Sequence, residues 1–154
     1  MLKQGDLAPD FTLLDQNGEP FHLAERVEAG KGWHLIYFYP RADTPGCTTQ
    51  ACGLRDVLGD IGDTAVVGIS PDTPAKQKKF DTKYSLGFPL LADKDHAVAD
   101  AYGSWGERSM YGKKYMGIVR TTYLIGRDGK VAKRWDGVKV DGHAEEVLAA
   151  VQQL

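Results

Sequence analysis

Cysteine and histidine are scarce in this chain, which has two cysteines, Cys47 and Cys52, and four histidines, His22, His34, His96 and His143, among 154 residues. A zinc site wants roughly four nitrogen or sulfur ligands, usually a close cysteine pair with a second ligand pair elsewhere. One cysteine pair and four scattered histidines do not supply that set, so no metal is expected. No histidine lies near a cysteine in sequence, which disfavours a Cys-His hydrolase unless folding brings one close. Asp93, Asp95 and Asp100 lack the spacing and closing glutamate of a calcium loop and suit helix capping and solvation instead. No apolar stretch approaches membrane-spanning length, and Met1-Leu2-Lys3-Gln4-Gly5-Asp6 lacks the apolar core of a secretion signal. A soluble, cytoplasmic protein without a membrane partner is expected. Basic blocks are missing too: 19 Lys and Arg face 21 Asp and Glu, for a net charge of −2, so no nucleic-acid partner is expected. With no repeat, low-complexity tract or linker, residues 1–154 read as one domain, long enough to fold without disulfide staples.

The apolar residues that are present fall into short runs. Trp33 to Tyr39 is bulky at almost every position and bounded by Gly32 and Pro40, the signature of a central strand covered on both faces. Ala65 to Ser70 reads as a second buried strand, followed by Thr73-Pro74 as N-cap and first residue of a helix over 75–84. Phe11–Leu14 and Phe21–Leu23 flank Asn17-Gly18 and predict an N-terminal β-hairpin. Phe88–Leu91 reads as a short strand that Pro89 confines to an edge or a strand start. A helix capped by Asp93 is expected to run to about Tyr102 and close at Gly103. Arg120–Ile125 and Val131–Trp135, joined through Asp128-Gly129, predict another hairpin, and His143–Val151 a last amphipathic helix. The glycine-rich stretch 103–117 carries no phosphate-loop pattern and reads as a long irregular loop. The order implies an α/β protein whose mixed central sheet has helices on both faces.

The chemistry concentrates at Pro40-Arg41-Ala42-Asp43-Thr44-Pro45-Gly46-Cys47-Thr48-Thr49-Gln50-Ala51-Cys52, where a turn hands over to a helix running to about Leu58. The first N–H groups of a helix have no intrahelical acceptor and, with the helix dipole, stabilise an anion placed there. At Cys47 that anion is the thiolate, the nucleophilic form of the residue. Pro45 sets φ and Gly46 permits close approach of the backbone. Cys52 lies inside the helix, and on these grounds alone it is as well read as a small core residue.

The run Tyr39-Pro40 through Thr44-Pro45-Gly46-Cys47-Thr48, then Gln50-Ala51-Cys52-Gly53-Leu54-Arg55-Asp56, resembles the peroxiredoxins of the bacterioferritin comigratory protein (PrxQ) subfamily. Ala8-Pro9-Asp10-Phe11, Gly68-Ile69-Ser70, Trp105-Gly106-Glu107 and Gly117-Ile118 before Arg120 extend the resemblance over nearly the whole chain. It implies a thioredoxin-like fold and reduction of hydrogen peroxide and organic hydroperoxides with no metal or bound cofactor. By the same resemblance Cys47 matches the peroxidatic cysteine and Cys52 the resolving cysteine of an intramolecular, atypical 2-Cys mechanism. Pro40, Thr44 and Arg120 match the residues that shield the thiol and bind the peroxide. Recycling by thioredoxin or a similar dithiol and a monomeric state are implied as well. Two other readings remain, a thiol–disulfide oxidoreductase, which would normally show two residues between its cysteines rather than four, and a peroxide-sensing interaction module. In an ideal helix, positions 47 and 52 lie about 8.6 Å apart between Cα atoms. A disulfide needs about 4.4–6.8 Å, so that bond requires the helix to open.

Overall fold

The computed structural model describes residues 1–29 and 32–154, and the apolar run around Ile36 forms its central strand. This strand, His34–Phe38 (β3), is buried at every position. It pairs in parallel with Ala65–Ser70 (β4) and antiparallel with Thr121–Ile125 (β8). Outside β4 lie Leu90–Ala92 (β5) and an N-terminal hairpin of Thr12–Leu14 (β1) and Pro20–His22 (β2); outside β8 lies Val131–Trp135 (β9). The seven-stranded order is β2-β1-β5-β4-β3-β8-β9, a mixed thioredoxin-like sheet.

Strand alternation sorts the core into two layers. Ile36 and Phe38 face one side, with Phe11, Leu23, Val98 and Tyr102. That layer is covered by Leu23–Glu28 (α1) and Ala97–Ala101 (α4). Leu35, Tyr37 and Tyr39 face the other, with Cys47, Ala51, Leu54, Phe80 and Val147. There the cover is Pro45–Val57 (α2), Pro74–Tyr84 (α3) and His143–Gln152 (α5). Fully burying each such side chain contributes about 1.5–3 kcal/mol before entropy, so a central strand buried on both faces is a strong organiser of the chain. Gly53 lets α2 approach α5, because a Cβ there would sit 3.2 Å from the Cβ of Ala144.

Several expectations need correction. The stretch 103–117 is not an irregular loop: Trp105–Met110 (β6) and Lys113–Ile118 (β7) form a separate two-stranded hairpin. Its turn, Tyr111-Gly112, has φ of 52° and 78°, the pair of positive angles that matches strand twist. A tyrosine in the first position hid this turn from sequence reasoning. The N-terminal hairpin closes with a five-residue loop in which Gly18 has positive φ and Asn17 does not. Asp15 Oδ1 holds this loop by accepting from the N–H groups of Asn17 and Glu19. The helix after Asp93 begins only at Ala97, because Lys94 and Asp95 form a turn first. Asp93 reaches over that turn to accept from the N–H groups of Val98 and Ala99. Pro89 marks a strand start, its carbonyl accepting from Gly68 N–H while β5 sits inside the sheet. Helix α1 has no counterpart in the sequence reading, which assigns its first residue, Leu23, to the hairpin strand; the remaining helices and strands fall close to where the sequence places them.

Candidate active site

Cys47 is the third residue of α2, behind Thr44 as N-cap and Pro45 as first helical residue. The first intrahelical bond runs from Thr48 N–H to the Thr44 carbonyl. The N–H groups of Gly46 and Cys47 therefore precede the ladder, and proline has none to offer. Cys47 is 1% exposed and sits on the buried layer formed by Tyr37, Tyr39 and Ala51. Burial raises the Tyr37 hydroxyl well above its ordinary pKa, with the neighbouring Tyr39 and Cys47 adding to the effect. Burial raises Tyr39 likewise. The floor beneath the thiol is therefore neutral at physiological pH.

The cation comes from the residue that precedes β8, the strand next to β3 in the sheet. Because Phe38 pairs with Thr121, Arg120 lies beside the chain as it leaves β3 for the Pro40–Thr44 loop. Its Nη2 donates to Cys47 Sγ at 3.0 Å, and its Nη1 donates to Gln50 Oε1 at 2.7 Å. A fixed, planar guanidinium with two directed donors suits this geometry better than an ammonium. Gly46 is needed here, since a Cβ at that position would stand 3.1 Å from Nη2. Gln50 is 2% exposed, and its Nε2 has no partner among the described residues.

Pro40 is exposed and lines a groove of about 990 Å³ together with Arg120, Arg41 and the β6–β7 hairpin. Thr44 is half-buried, and its hydroxyl donates to the Arg41 carbonyl at 2.9 Å rather than capping α2. With its proton directed to that carbonyl, the hydroxyl oxygen keeps its lone pairs free to accept. Cys52 is half-buried on the same helix; both thiols are free, and α2 is continuous across them. The Cys47 thiol is paired with arginine, whereas His22 meets Asp10, His143 meets Thr122 and His96 stacks on Trp105.

Sequence reasoning missed the supports of this loop. Ala42 N–H donates to Asp72 Oδ2 at 2.7 Å, and the same oxygen accepts from Ser70 Oγ at 2.7 Å. Ser70 Oγ accepts from Gln77 Nε2 at 2.8 Å, and Gln77 Oε1 accepts from the Tyr39 hydroxyl. This chain ties the loop to the ends of β3 and β4. Asp43, with φ of 60°, accepts from Lys83 Nζ at 3.0 Å and from the Tyr84 hydroxyl at 2.9 Å. Those two hydrogen bonds hold its carboxyl below the usual range. Gln50 was legible in principle: it lies one turn after Cys47, a polar residue on the stripe of positions 47, 51 and 54 that faces the core.

Fold and site together define a thioredoxin-like protein with a buried thiol at a helix N-terminus, paired with an arginine. A model of the AhpC/TSA family matches residues 4–134. The chain is 46% identical over 153 residues to peroxiredoxin Bcp of Escherichia coli, covering 96% of this chain and 94% of that protein. A solved structure of the Xanthomonas campestris bacterioferritin comigratory protein, described for its alkyl peroxide reduction activity, superposes with a TM-score of 0.88 at 34% identity, covering 99% of this chain and 97% of that one. The peroxidoxin BcpB of Mycobacterium tuberculosis gives 0.87 at 36% identity, covering 100% and 99%. The chain belongs to the AhpC/TSA family and, within it, to the bacterioferritin comigratory (PrxQ) peroxiredoxins.

Proposed function

We propose that this peroxiredoxin reduces hydrogen peroxide and organic hydroperoxides with Cys47 as the peroxidatic nucleophile, and that the 3.0 Å contact between Arg120 Nη2 and Cys47 Sγ carries this assignment. The thiolate attacks the terminal peroxide oxygen and the O–O bond breaks. The leaving oxygen takes a proton and departs as water or alcohol, and Cys47 becomes a sulfenic acid. Charge moves from sulfur onto the leaving oxygen along a path flanked by Arg120 and the Gly46 and Cys47 N–H groups, a donor set analogous to an oxyanion hole. Thr44 accepts the peroxide O–H and Pro40 shields the thiol from water.

Cys52 then attacks Cys47 Sγ and expels water, giving an intramolecular disulfide. A dithiol supplies two electrons to restore both thiols, and thioredoxin or a similar protein fits that role. No cofactor or metal takes part in this scheme. A monomer acting in the cytoplasm suits it, since a reducing compartment supplies the dithiol that the cycle consumes. No helix among the described residues is long and apolar enough to cross a membrane. One seven-stranded sheet carrying both core layers supports reading residues 1–154 as a single domain.

Steady-state peroxide consumption coupled to thioredoxin and its reductase tests the proposal. Sustained turnover, lost in Cys47→Ser, is expected. Oxidation that stops after one equivalent identifies a sensor, and disulfide exchange without peroxide consumption identifies an oxidoreductase; either contradicts the peroxidase.

A further inference from the structure

The β6–β7 hairpin stands apart from the main sheet and carries an unusual surface. Met110, Tyr111, Tyr115 and Met116 are all exposed, half of the large apolar residues exposed among the described residues, and Tyr111 at the tip is 97% exposed. Tyr111 also holds a φ of 52°, a conformation that a bulky residue rarely adopts and that no packing enforces here. Between these apolar residues lie Lys113 and Lys114, while Arg108 is half-buried and donates from Nη1 to the Ile118 carbonyl; the one carboxylate of the hairpin is Glu107, 3.5 Å from Lys114. A chain of net charge −2 thus concentrates positive charge on its most apolar projection.

The hairpin also walls the groove that ends at Pro40 and Arg120, and no residue lining that groove is Asp or Glu. We propose that the hairpin docks the protein on an anionic lipid surface, with Tyr111 and Met110 at the headgroup boundary and the exposed Lys113 and Lys114 against anionic headgroups. The groove then opens onto the bilayer and receives hydroperoxides of membrane lipids, a substrate statement that rests on the peroxidase reading above. The expectation of no membrane partner came from the missing spanning segment, and peripheral docking needs none.

Charge and shape favour a lipid surface over the alternatives. A second copy of this chain in a two-fold contact through the hairpin tip would bring the Lys113 and Lys114 of both copies together. A protein reductant must reach both Cys47 and Cys52 on α2, none of whose residues lines the groove, whereas a peroxide needs only the groove's end at Arg120, whose Nη2 meets Cys47 Sγ. A convex tip of methionine and tyrosine flanked by cations complements a fluid anionic interface.

Vesicle co-sedimentation decides the matter and requires no peroxide chemistry, so docking and the peroxidase reading fail separately. Wild-type protein should bind vesicles containing about one-third phosphatidylglycerol and not pure phosphatidylcholine, with release in roughly 0.5 M salt. Tyr111→Ser with Met110→Ser, and separately Lys113→Glu with Lys114→Glu, should each weaken binding roughly tenfold, with folding checked by circular dichroism. No sedimentation with anionic vesicles overturns the proposal, as does binding that these variants leave unchanged. Wild-type-like vesicle binding by both variants combined with impaired thioredoxin-dependent turnover identifies a protein-docking surface and overturns it equally.

Discussion

Arg120 makes two hydrogen bonds at once, and the one to Gln50 orients the one to Cys47. With Nη1 fixed on Gln50 Oε1, the guanidinium plane can turn only slightly, and Nη2 is left aimed at sulfur. Removing one preorganised donor of this kind costs on the order of 10²–10³ in rate. Arg120→Ala should therefore slow the second-order oxidation of Cys47 by about that factor, and Gln50→Leu, which only frees the guanidinium, by roughly tenfold. Rapid-mixing fluorescence measures both rates, and an Arg120→Ala rate equal to wild type would remove arginine from the reaction. At this scale the sequence was most informative where residue type and position coincide, as at Cys47 behind Pro45-Gly46. It was silent on Asp72 and Gln77, whose roles come from hydrogen bonds across 30 or more residues of chain, as between Ala42 and Asp72.

At the scale of elements, α2 contains a conflict that chemistry must resolve. The helix is intact from Pro45 to Val57 with both thiols free, and Cys47 is buried against Tyr37 and Tyr39. An ideal helix keeps positions 47 and 52 about 8.6 Å apart, beyond the reach of a disulfide. The first turn must unwind before the bond closes. What opposes unwinding is visible: the Ala42–Asp72 bond, the Asp43 contacts with Lys83 and Tyr84, and Arg120. The Asp43–Lys83 pair is exposed and screened by solvent, so it holds the loop only weakly, which suits an element that must open. Oxidation should therefore raise amide hydrogen exchange across Thr44 to Leu54 and leave β3 protected. A confirmed intramolecular bond with undiminished protection there would rule unwinding out. Helices and buried strands were legible because apolar periodicity marks them. The β6–β7 hairpin was not, because Lys113 to Met116 is exposed and has no buried face to impose alternation.

For the whole molecule, stability depends on pH through two buried histidines. His143, 1% exposed against Thr122, is pushed below the ordinary imidazole pKa by burial, with Glu146 opposing. Burial lowers His34 too, helped by Arg26. The native state keeps both neutral while the unfolded chain binds protons below about pH 6.5, so stability is lost as pH falls through that value. His143→Asn does not titrate and should flatten the acid limb of a Tm–pH curve, with each kcal/mol worth about 2–4 °C in a domain of this size. Identical limbs in the two proteins would show that His143 is charged in the native state. The most direct test of the whole account is the oxidation product itself. After one equivalent of hydroperoxide, peptide mass mapping should find a Cys47–Cys52 disulfide within single chains of the wild type. In Cys52→Ser, a dimedone adduct should appear on Cys47. A wild-type product whose disulfides join two chains, or peroxide consumed while Cys47 stays reduced, would contradict it.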